Sequence, residues 1–284
     1  MLRSSYIISQ FKPDVAVGVG GYASGPILKA AARAKVPLVI QEQNSYAGVT
    51  NRLLAKSAER ICVAYEGMEK YFPAERIVLT GNPVREELIK LPRKREEDIA
   101  TFNLSPEKLN ILVVGGSLGA RTLNESIQEG LDSFRRDDLQ VLWQTGSGGI
   151  EAAKEAVSKT GLDNVRVLPF ISEMGAAFGV ADIIISRAGA GTISELCLVG
   201  KPLILVPSPN VAEDHQTSNA MALVSKKAAI MVPDNLARKH LVKKILKLID
   251  SKEQRDELSR NIQQLGISDS AERITDEIVK LVEK

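Results

Sequence analysis

The chain has 284 residues, of which 44% are hydrophobic and 25% are charged, a composition typical of a globular protein that can bury a sizeable core. The formal net charge is only +2 and aromatic residues make up 4%, which argues against a nucleic-acid partner because neither a basic field nor base-stacking side chains are present. No apolar run approaches the ~20 residues of a membrane span. The first residues also lack the apolar segment of a signal peptide.

The two cysteines, Cys62 and Cys197, lie far apart in the sequence, each within an apolar stretch. This placement predicts buried, reduced thiols, which are typical of a cytoplasmic protein. Residues 1–90 contain 12 basic and 8 acidic side chains, a mild excess that favours an anionic membrane surface.

Short apolar segments alternate with helical segments in the first part of the chain. Helices are predicted at 2–11, 25–35 and 47–57, and strands at 14–19, 36–40, 60–64 and 77–80. Such alternation predicts a parallel sheet covered on both faces by helices. A complete doubly wound unit has about five or six strands, so the first strands of this one are expected upstream of Met1.

A charged segment, residues 92–98, interrupts this pattern and is predicted to be a linker or exposed turn. The alternation then restarts, with strands predicted at 109–114, 141–144, 165–168, 182–185 and 203–206 and a helical end at 238–284. We therefore predict an α/β protein of two Rossmann-like doubly wound domains, the first incomplete, with a ligand cleft between them.

The turn Gly18-Val19-Gly20-Gly21-Tyr22-Ala23 follows a strand and matches the dinucleotide-binding pattern G-x-G-x-x-A. Glu42 ends the next strand, close to where a ribose-binding carboxylate would lie. An NAD site is one interpretation of this turn, and a tight strand–helix turn that needs only small residues is another.

Polar side chains fill Gln41-Glu42-Gln43-Asn44, at the end of a strand. Buried polar groups need partners, so hydrogen bonding to a polyhydroxylated ligand is one use for them. Helix capping by Asn44 or Thr50 is the alternative. Arg85, in Gly81-Asn82-Pro83-Val84-Arg85, offers a planar fork that suits phosphate oxygens, although a surface arginine at a domain hinge would look the same.

Two further glycine-rich turns follow strands of the second unit. Gly115-Gly116-Ser117-Leu118-Gly119-Ala120 precedes a helix, where free N–H groups bind anions. Because Ser117 replaces the second glycine of G-x-G-x-x-G and no Gly-Lys pair of a P-loop follows, the turn predicts a diphosphate site without NAD or ATP hydrolysis chemistry. A purely structural turn is the alternative.

The stretch Ser186 to Glu195 is the most informative in the chain, because small residues fill 188–191 and a helix follows. Glu195 is predicted to accept hydrogen bonds from both hydroxyls of a ribose. A capping box of Thr192 and Glu195 is the local alternative.

The polar loop at 207–220 also follows a strand, and there Gln216 is predicted to contact sugar hydroxyls. His215 is a second candidate in this loop, as a general base. The other histidine, His240, falls in the C-terminal helical region, so no metal site is expected.

Taken together, these motifs resemble glycosyltransferase family 28. The matching stretches run in the family's order: 20–26, 42–44, 81–85, 115–120, 187–192 and 214–216. The resemblance implies a GT-B architecture and an inverting transfer of N-acetylglucosamine from UDP-N-acetylglucosamine to lipid I, giving lipid II for peptidoglycan synthesis. It also implies a peripheral location at the inner face of the bacterial cytoplasmic membrane, with no metal and no cofactor.

The resemblance carries the family's substrate-binding positions over to this sequence. They are Asn44, Arg85, Ser117, Ile171, Ala190, Gly191, Thr192, Glu195 and Gln216. It places the uracil near 171–174, the diphosphate near Ser117 and the ribose on Glu195. It further implies an acceptor and membrane-side domain formed by 1–90 with 265–284, and a donor domain at 91–264.

The family's first strand and its Gly-Gly-Thr-Gly-Gly-His loop have no counterpart in this sequence. By the resemblance, the loop and the catalytic base that it supplies are expected upstream of Met1. The helix with Tyr6, Ile7, Ile8 and Phe11 is expected either to touch a bilayer or to pack against those upstream strands. Two alternative functions stay open, a protein that binds the donor without catalysis and an NAD-dependent oxidoreductase.

Overall fold

A computed structural model of the chain describes residues 2–89, 96–116 and 118–283. The chain divides into two compact units, Met1–Val84 with Ile267–Lys284, and Arg85–Gly266. Each unit contains a parallel sheet with helices, so the predicted α/β class with two parallel-sheet domains is confirmed. None of the helices in the described ranges combines the length and hydrophobicity needed to cross a membrane.

The first unit has a sheet of four parallel strands in the order β1-β2-β3-β4. Its elements are α1 (Leu2–Phe11), β1 (Ala16–Gly18), α2 (Ser24–Arg33), β2 (Leu38–Glu42), α3 (Val49–Leu54), β3 (Arg60–Val63), β4 (Ile77–Leu79) and, from the end of the chain, α12 (Ser270–Val282). All five residues of β2 are buried, as expected for a central strand covered on both faces.

Helix α2 packs closely on β1 because Gly18 has no side chain. A Cβ atom at Gly18 would lie 2.2 Å from Cδ1 of Leu28, a distance that real contacts do not reach. The small residue at the end of β1 therefore serves helix–strand packing, which is the structural interpretation of the first glycine in that turn.

The last helix, α12, packs on the sheet of the first unit. Leu281 joins Val39 and Cys62 in a buried apolar cluster. Arg60 of β3 donates its Nε–H to Glu277 at 2.9 Å, and Lys280 also pairs with this carboxylate. These two cations, Lys280 first, lower the pKa of Glu277.

The second unit has a six-stranded parallel sheet in the order β10-β9-β8-β5-β6-β7. Its strands are β5 (Leu109–Val114), β6 (Leu139–Gln144), β7 (Val165–Leu168), β8 (Ile183–Ser186), β9 (Leu203–Leu205) and β10 (Ile230–Met231). Its helices are α4 (Glu96–Thr101), α5 (Arg121–Glu129), α6 (Ile150–Thr160), α7 (Met174–Val180), α8 (Ala190–Val199), α9 (His215–Val224), α10 (Ala237–Asp250) and α11 (Lys252–Gln263).

The strand order reverses beside β5. From β5 the chain proceeds outward through β6 and β7, then returns to β8 on the other side of β5 and proceeds outward again. Such a reversal leaves a crevice at the carboxyl ends of the two strands that flank it, which is where open α/β sheets bind ligands. The crevice in this unit therefore lies above β5 and β8.

The linker and the last strand of the second unit differ from the sequence prediction. Part of the predicted linker lies outside the described residues, but its last three residues, 96–98, begin helix α4 instead. Asp98 and Ile99 are buried there because α4 contacts α7. Strand β10 was missed because it has only two residues. The C-terminal helical region was also predicted, and it consists of the three helices α10, α11 and α12.

The thiols provide a test of how α12 is packed. Burial raises the pKa of Cys62 to about 11, with the Glu277 charge adding to the effect, and burial raises the pKa of Cys197 to about 12. Both thiols should therefore resist alkylation at neutral pH in the folded protein, because the thiolate is the reactive form.

We predict that Leu281→Ala exposes Cys62 selectively. Removing a buried leucine side chain costs about 2 kcal/mol or more, which corresponds to about a tenfold or larger increase in the alkylation rate of Cys62. Cys197, in the other unit, is the internal reference, and Val282→Ala on an exposed position of the same helix is the matched control. Mass spectrometry of timed iodoacetamide labelling measures both rates, and equal acceleration of the two thiols would contradict the packing described.

Candidate functional site

The carboxyl ends of β5, β8 and β9 lie side by side in the second unit. Val114 pairs with Ser186, and Ser186 pairs with Leu205, so the three strands end at the same level. The glycine turn after β5, the segment before α8 and the polar loop after β9 consequently start from one edge of the sheet. The sequence had singled out all three of these segments.

Side chains tie the segments after β8 and β9 together. The Oε1 atom of Gln216 accepts hydrogen bonds from the backbone N–H of Ala188 at 3.1 Å and of Ser208 at 2.8 Å. Asn219, one turn further along α9, donates from Nδ2 to the Ala188 carbonyl at 3.3 Å. The backbone polar groups that leave the strands are thereby satisfied, and the entry to α8 is fixed.

Helix α8 begins at Ala190, with Gly189 in extended conformation as its N-cap. No side chain caps this end, and Thr192 lies inside the first turn, so the predicted capping box of Thr192 and Glu195 is wrong. The helix starts earlier because small residues at 188–191 let the backbone turn directly after the strand. The first N–H groups of α8, at Ala190, Gly191 and Thr192, lack intrahelical acceptors, which makes this end attractive to an anion.

Glu195 pairs with Arg85 through two hydrogen bonds. Arg85 donates its Nε–H to one carboxylate oxygen at 2.8 Å and its Nη2–H to the other at 3.1 Å. Nη1 of Arg85 lies 3.3 Å from Glu87. The hydrogen bond with Glu195 raises the pKa of Arg85 above its ordinary value. The structure thus unites two residues that the sequence predicted for different parts of the ligand.

The turn after β5 depends on its glycines. Gly116 and Gly119 both have positive φ angles, +83° and +78°. The Gly116 carbonyl accepts the N–H of Gly119 at 2.9 Å and the Nε2–H of Gln144 at 3.0 Å. A Cβ atom on Gly119 would lie 2.1 Å from the Thr145 carbonyl oxygen. Backbone therefore packs on backbone here; the predicted ligand Ser117 lies outside the described residues.

Ile171 and His215 are two other residues of the second unit that the sequence predicted for the site. Ile171 is buried in the segment that follows β7. His215 begins α9, and its Nε2 atom lies 3.4 Å from a Glu213 carboxylate oxygen. The structure thus brings Ala190, Glu195 and Arg85 together at α8, with Gln216 holding the segment that leads into that helix.

In the first unit, the polar side chains after β2 form an internal network. The buried Glu42 carboxylate, 3% exposed, accepts hydrogen bonds from the N–H groups of Asn44 and Gly48 and from Nδ2 of Asn51. Gly48, not a side chain, caps α3, so the predicted capping by Asn44 or Thr50 is wrong. A carboxylate that is buried and used in this way does not favour the NAD interpretation, which needs Glu42 for a ribose.

Several residues that organise the site were missed. Arg187 lies in the stretch of small residues before α8, where no local pattern indicates its role. Its Nη1 donates to the carbonyls of Val206 and Pro207 and to the Asp234 carboxylate. Asn219 was part of the polar loop that drew attention. Asp234 stands outside every motif, so no local signal could have identified it.

Comparison with known proteins was decisive for the family. The Glycosyltransferase family 28 C-terminal domain matches residues 110–274, and the Glycosyltransferase family 28 N-terminal domain matches residues 1–63. A UDP-N-acetylglucosamine--N-acetylmuramyl-(pentapeptide) pyrophosphoryl-undecaprenol N-acetylglucosamine transferase of Parabacteroides distasonis is 60% identical over 98% of this chain and 75% of its own length. The transferase of the same name from Bacteroides fragilis is 56% identical over 99% of this chain and 75% of its own length.

A solved structure agrees with these relatives. The crystal structure of Acinetobacter baumannii MurG has a TM-score of 0.83 and 30% sequence identity, and the match covers 98% of this chain and 77% of that one. The chain therefore spans about three quarters of the length of the relatives to which it is similar.

The backbone contact at Gly119 leads to a prediction. Gly119→Ala should destabilise the second unit by at least about 1–3 kcal/mol, since the positive φ angle alone costs that much and the clash with Thr145 adds to it. Gly148→Ala is the control, because a Cβ atom there meets nothing within 4 Å; its effect should stay within about 0.5 kcal/mol. Trp143, the single tryptophan, is buried in this unit, so its fluorescence during urea unfolding measures both. Equal stabilities of the Gly119→Ala and Gly148→Ala variants would contradict the close approach of Gly119 to the Thr145 carbonyl.

Proposed function

Since this chain belongs to glycosyltransferase family 28, we propose that it transfers N-acetylglucosamine from UDP-N-acetylglucosamine to an N-acetylmuramyl-(pentapeptide) pyrophosphoryl-undecaprenol acceptor, lipid I, to give lipid II. This is the activity for which its relatives are named. The arrangement of Arg85, Glu195 and the start of α8 carries the proposal, because it offers separate partners for a ribose and a diphosphate within one unit.

Glu195 is the proposed ribose ligand. A carboxylate has about four lone-pair positions, and Arg85 occupies two of them. The other two suit the vicinal hydroxyls of a ribose, which both donate. Arg85 orients the carboxylate through these two hydrogen bonds, and the ion pair need not break when the nucleoside binds.

The diphosphate is proposed to bind at the helix ends that follow β5 and β8. The first N–H groups of α8 and of α5 lack acceptors within their own helices, and we propose that Ser117, in the turn before α5, also contacts the diphosphate. The side chain of Arg85 is 43% exposed. Its guanidinium therefore adds a positive charge that a ligand can reach. We propose Ile171 beside the uracil and Gln216 as a contact to the sugar.

The chemistry proposed is a direct displacement at the anomeric carbon. The acceptor hydroxyl forms a bond to that carbon, the bond to the diphosphate oxygen breaks, and the configuration inverts. UDP leaves with the bonding electron pair, and the negative charge that develops on it is stabilised by helix N–H groups and by Arg85. His215 is the candidate within this chain for accepting the hydroxyl proton, which it then loses to water.

Contact with a membrane is proposed for α1. Leu2, Tyr6 and Phe11 are exposed on this helix, Leu2 by 91% and Phe11 by 77%, whereas Ile8 packs into the core of the first unit. The expectation that Ile8 would share this surface is therefore wrong, because it faces α2. Exposed apolar side chains on a short helix are suited to the headgroup boundary, where the acceptor lipid resides. A peripheral place on the inner face of the cytoplasmic membrane follows.

Donor binding tests the function. Glu195→Gln should raise the Kd for UDP about 10- to 100-fold, since hydrogen bonds to a charged group are worth about 1.5–3 kcal/mol. Glu129→Gln is the matched control, because Glu129 forms an exposed ion pair with Arg238 in the same unit. Isothermal titration calorimetry measures both. An unchanged Kd in Glu195→Gln would contradict the ribose assignment.

The same titration separates the transferase from an oxidoreductase. UDP-N-acetylglucosamine should bind and NADH should not. Tight binding of NADH without binding of UDP-N-acetylglucosamine would sink the proposed function. Transfer of radiolabelled N-acetylglucosamine to the lipid-linked acceptor, followed by extraction into butanol, measures turnover and separates an enzyme from a protein that only binds the donor.

Membrane contact has its own test. Replacing Leu2 and Phe11 by serine should reduce co-sedimentation with vesicles of phosphatidylglycerol and phosphatidylethanolamine by about tenfold or more, given about 1.5–3 kcal/mol for each large apolar side chain. Leu53→Ser and Val49→Ser, at exposed positions on α3 of the same unit, are the controls. Equal loss in both pairs would contradict a specific role for α1.

A further inference from the structure

Asp234 connects two parts of the second unit that no sequence motif relates. It lies in a short helical turn, Asp234–Leu236, between β10 and α10. One of its carboxylate oxygens accepts from Nη1 of Arg187, and the other accepts from Oγ1 of Thr122 at 3.0 Å. Thr122 is the second residue of α5, and Arg187 lies three residues before α8.

The Arg187 side of this network reaches the loop after β9. Arg187 also donates to the carbonyls of Val206 and Pro207, at 2.9 and 3.1 Å. Its neighbour Ala188 and the next residue of that loop, Ser208, both donate to Gln216. A single carboxylate thus anchors the arginine that holds the path into α8.

The Thr122 side reaches the glycine turn. Helix α5 starts at Arg121, directly after Gly115–Ala120, so the Thr122 hydroxyl fixes the first turn of that helix. Strands β5 and β8 are neighbours at the reversal of strand order. Asp234 therefore links the starts of α5 and α8, the two helices that flank the crevice. Its side chain is 16% exposed.

We propose that Asp234 is a positioning residue that, through Thr122 and Arg187, sets the spacing of the α5 and α8 helix starts and thereby the affinity for a nucleoside diphosphate. The inference rests on the proposed function, because it takes those helix starts as the diphosphate site. Asp234 touches no substrate in this account. It acts by keeping donors of two loops in register, for which small errors of geometry are costly.

The conservative pair at Thr122 gives the sharpest test. Thr122→Val keeps the shape and removes the hydroxyl, whereas Thr122→Ser keeps the hydroxyl. Thr122→Val should raise the Kd for UDP about three- to tenfold, and Thr122→Ser should stay within about twofold of the parent. Asp234→Asn removes the charge that pairs with Arg187 and should raise the Kd by about tenfold or more.

A ligand-free readout keeps the inference separate from the proposed function. In Thr122→Val and Asp234→Asn, the amide hydrogens of Ala188 and Ser208 should exchange about three- to tenfold faster, because Arg187 is less firmly held. The unfolding transition reported by Trp143 fluorescence shows whether the variants stay folded. Asp138→Asn is the control, since Asp138 pairs with Arg136 at the opposite edge of the same sheet and should change neither amide.

The outcomes separate cleanly. The proposal is supported if Thr122→Val raises the Kd for UDP and speeds amide exchange at Ala188 and Ser208, while Thr122→Ser leaves both close to the parent values. Unchanged Kd and unchanged exchange in the folded Thr122→Val and Asp234→Asn variants would overturn the proposal. If the parent itself binds no UDP, the proposed function fails, and the amide exchange alone still decides whether Asp234 positions the path into α8.

Discussion

The pairing of β5 with β8 is the constraint on which the second unit depends. These two strands are far apart in the sequence, and their parallel pairing aligns Val114 with Ser186. Because each strand then runs into a helix at the same edge of the sheet, two helix starts come to lie side by side at the reversal of strand order. Helix starts offer unpaired N–H donors, and this edge of the sheet is therefore where we propose that the diphosphate binds.

Polar side chains hold the segments that follow the paired strands. Gln216 satisfies two backbone N–H groups with one oxygen, and Asp234 holds Arg187 and Thr122 with its two oxygens. Arg85 and Glu195 form a two-bond ion pair at the side of the crevice. A carboxylate held in this way offers two further lone pairs, while its partner arginine keeps a face open to solvent. The roles proposed for this pair are a contact from Glu195 to a diol and a contact from Arg85 to a diphosphate, two groups of one sugar nucleotide.

Much of the fold followed from the sequence because parallel strands are short, apolar and bounded by glycine turns. The bounds of β5 and β7 agree with the prediction. Boundaries that depend on tertiary contacts did not follow from the sequence. Residues 96–98 are charged, yet they belong to a helix because Asp98 and Ile99 are buried. Strand β10 owes its existence to pairing with β9, since two residues carry no periodicity.

The candidate site, like the fold, could be predicted from the sequence only in part. Motifs gave Glu195, Arg85 and Gln216, because small residues and isolated polar side chains after strands are informative without a structure. Their partners were harder to predict. Arg85 and Glu195 are 110 residues apart, and nothing local indicates that they pair. Asp234 contacts Thr122 across 112 residues, and the start of α8 at Ala190 shows why the local capping pattern misled.

The proposed donor site depends on where a nucleoside diphosphate contacts the chain. Amide hydrogen exchange of the full chain, measured with and without UDP, locates that contact directly. We expect protection in the segments after β5, β7 and β8, including Ala190–Glu195, with the segment after β1 unchanged. Protection confined to Gly18–Ala23, with no change at the start of α8, would contradict it.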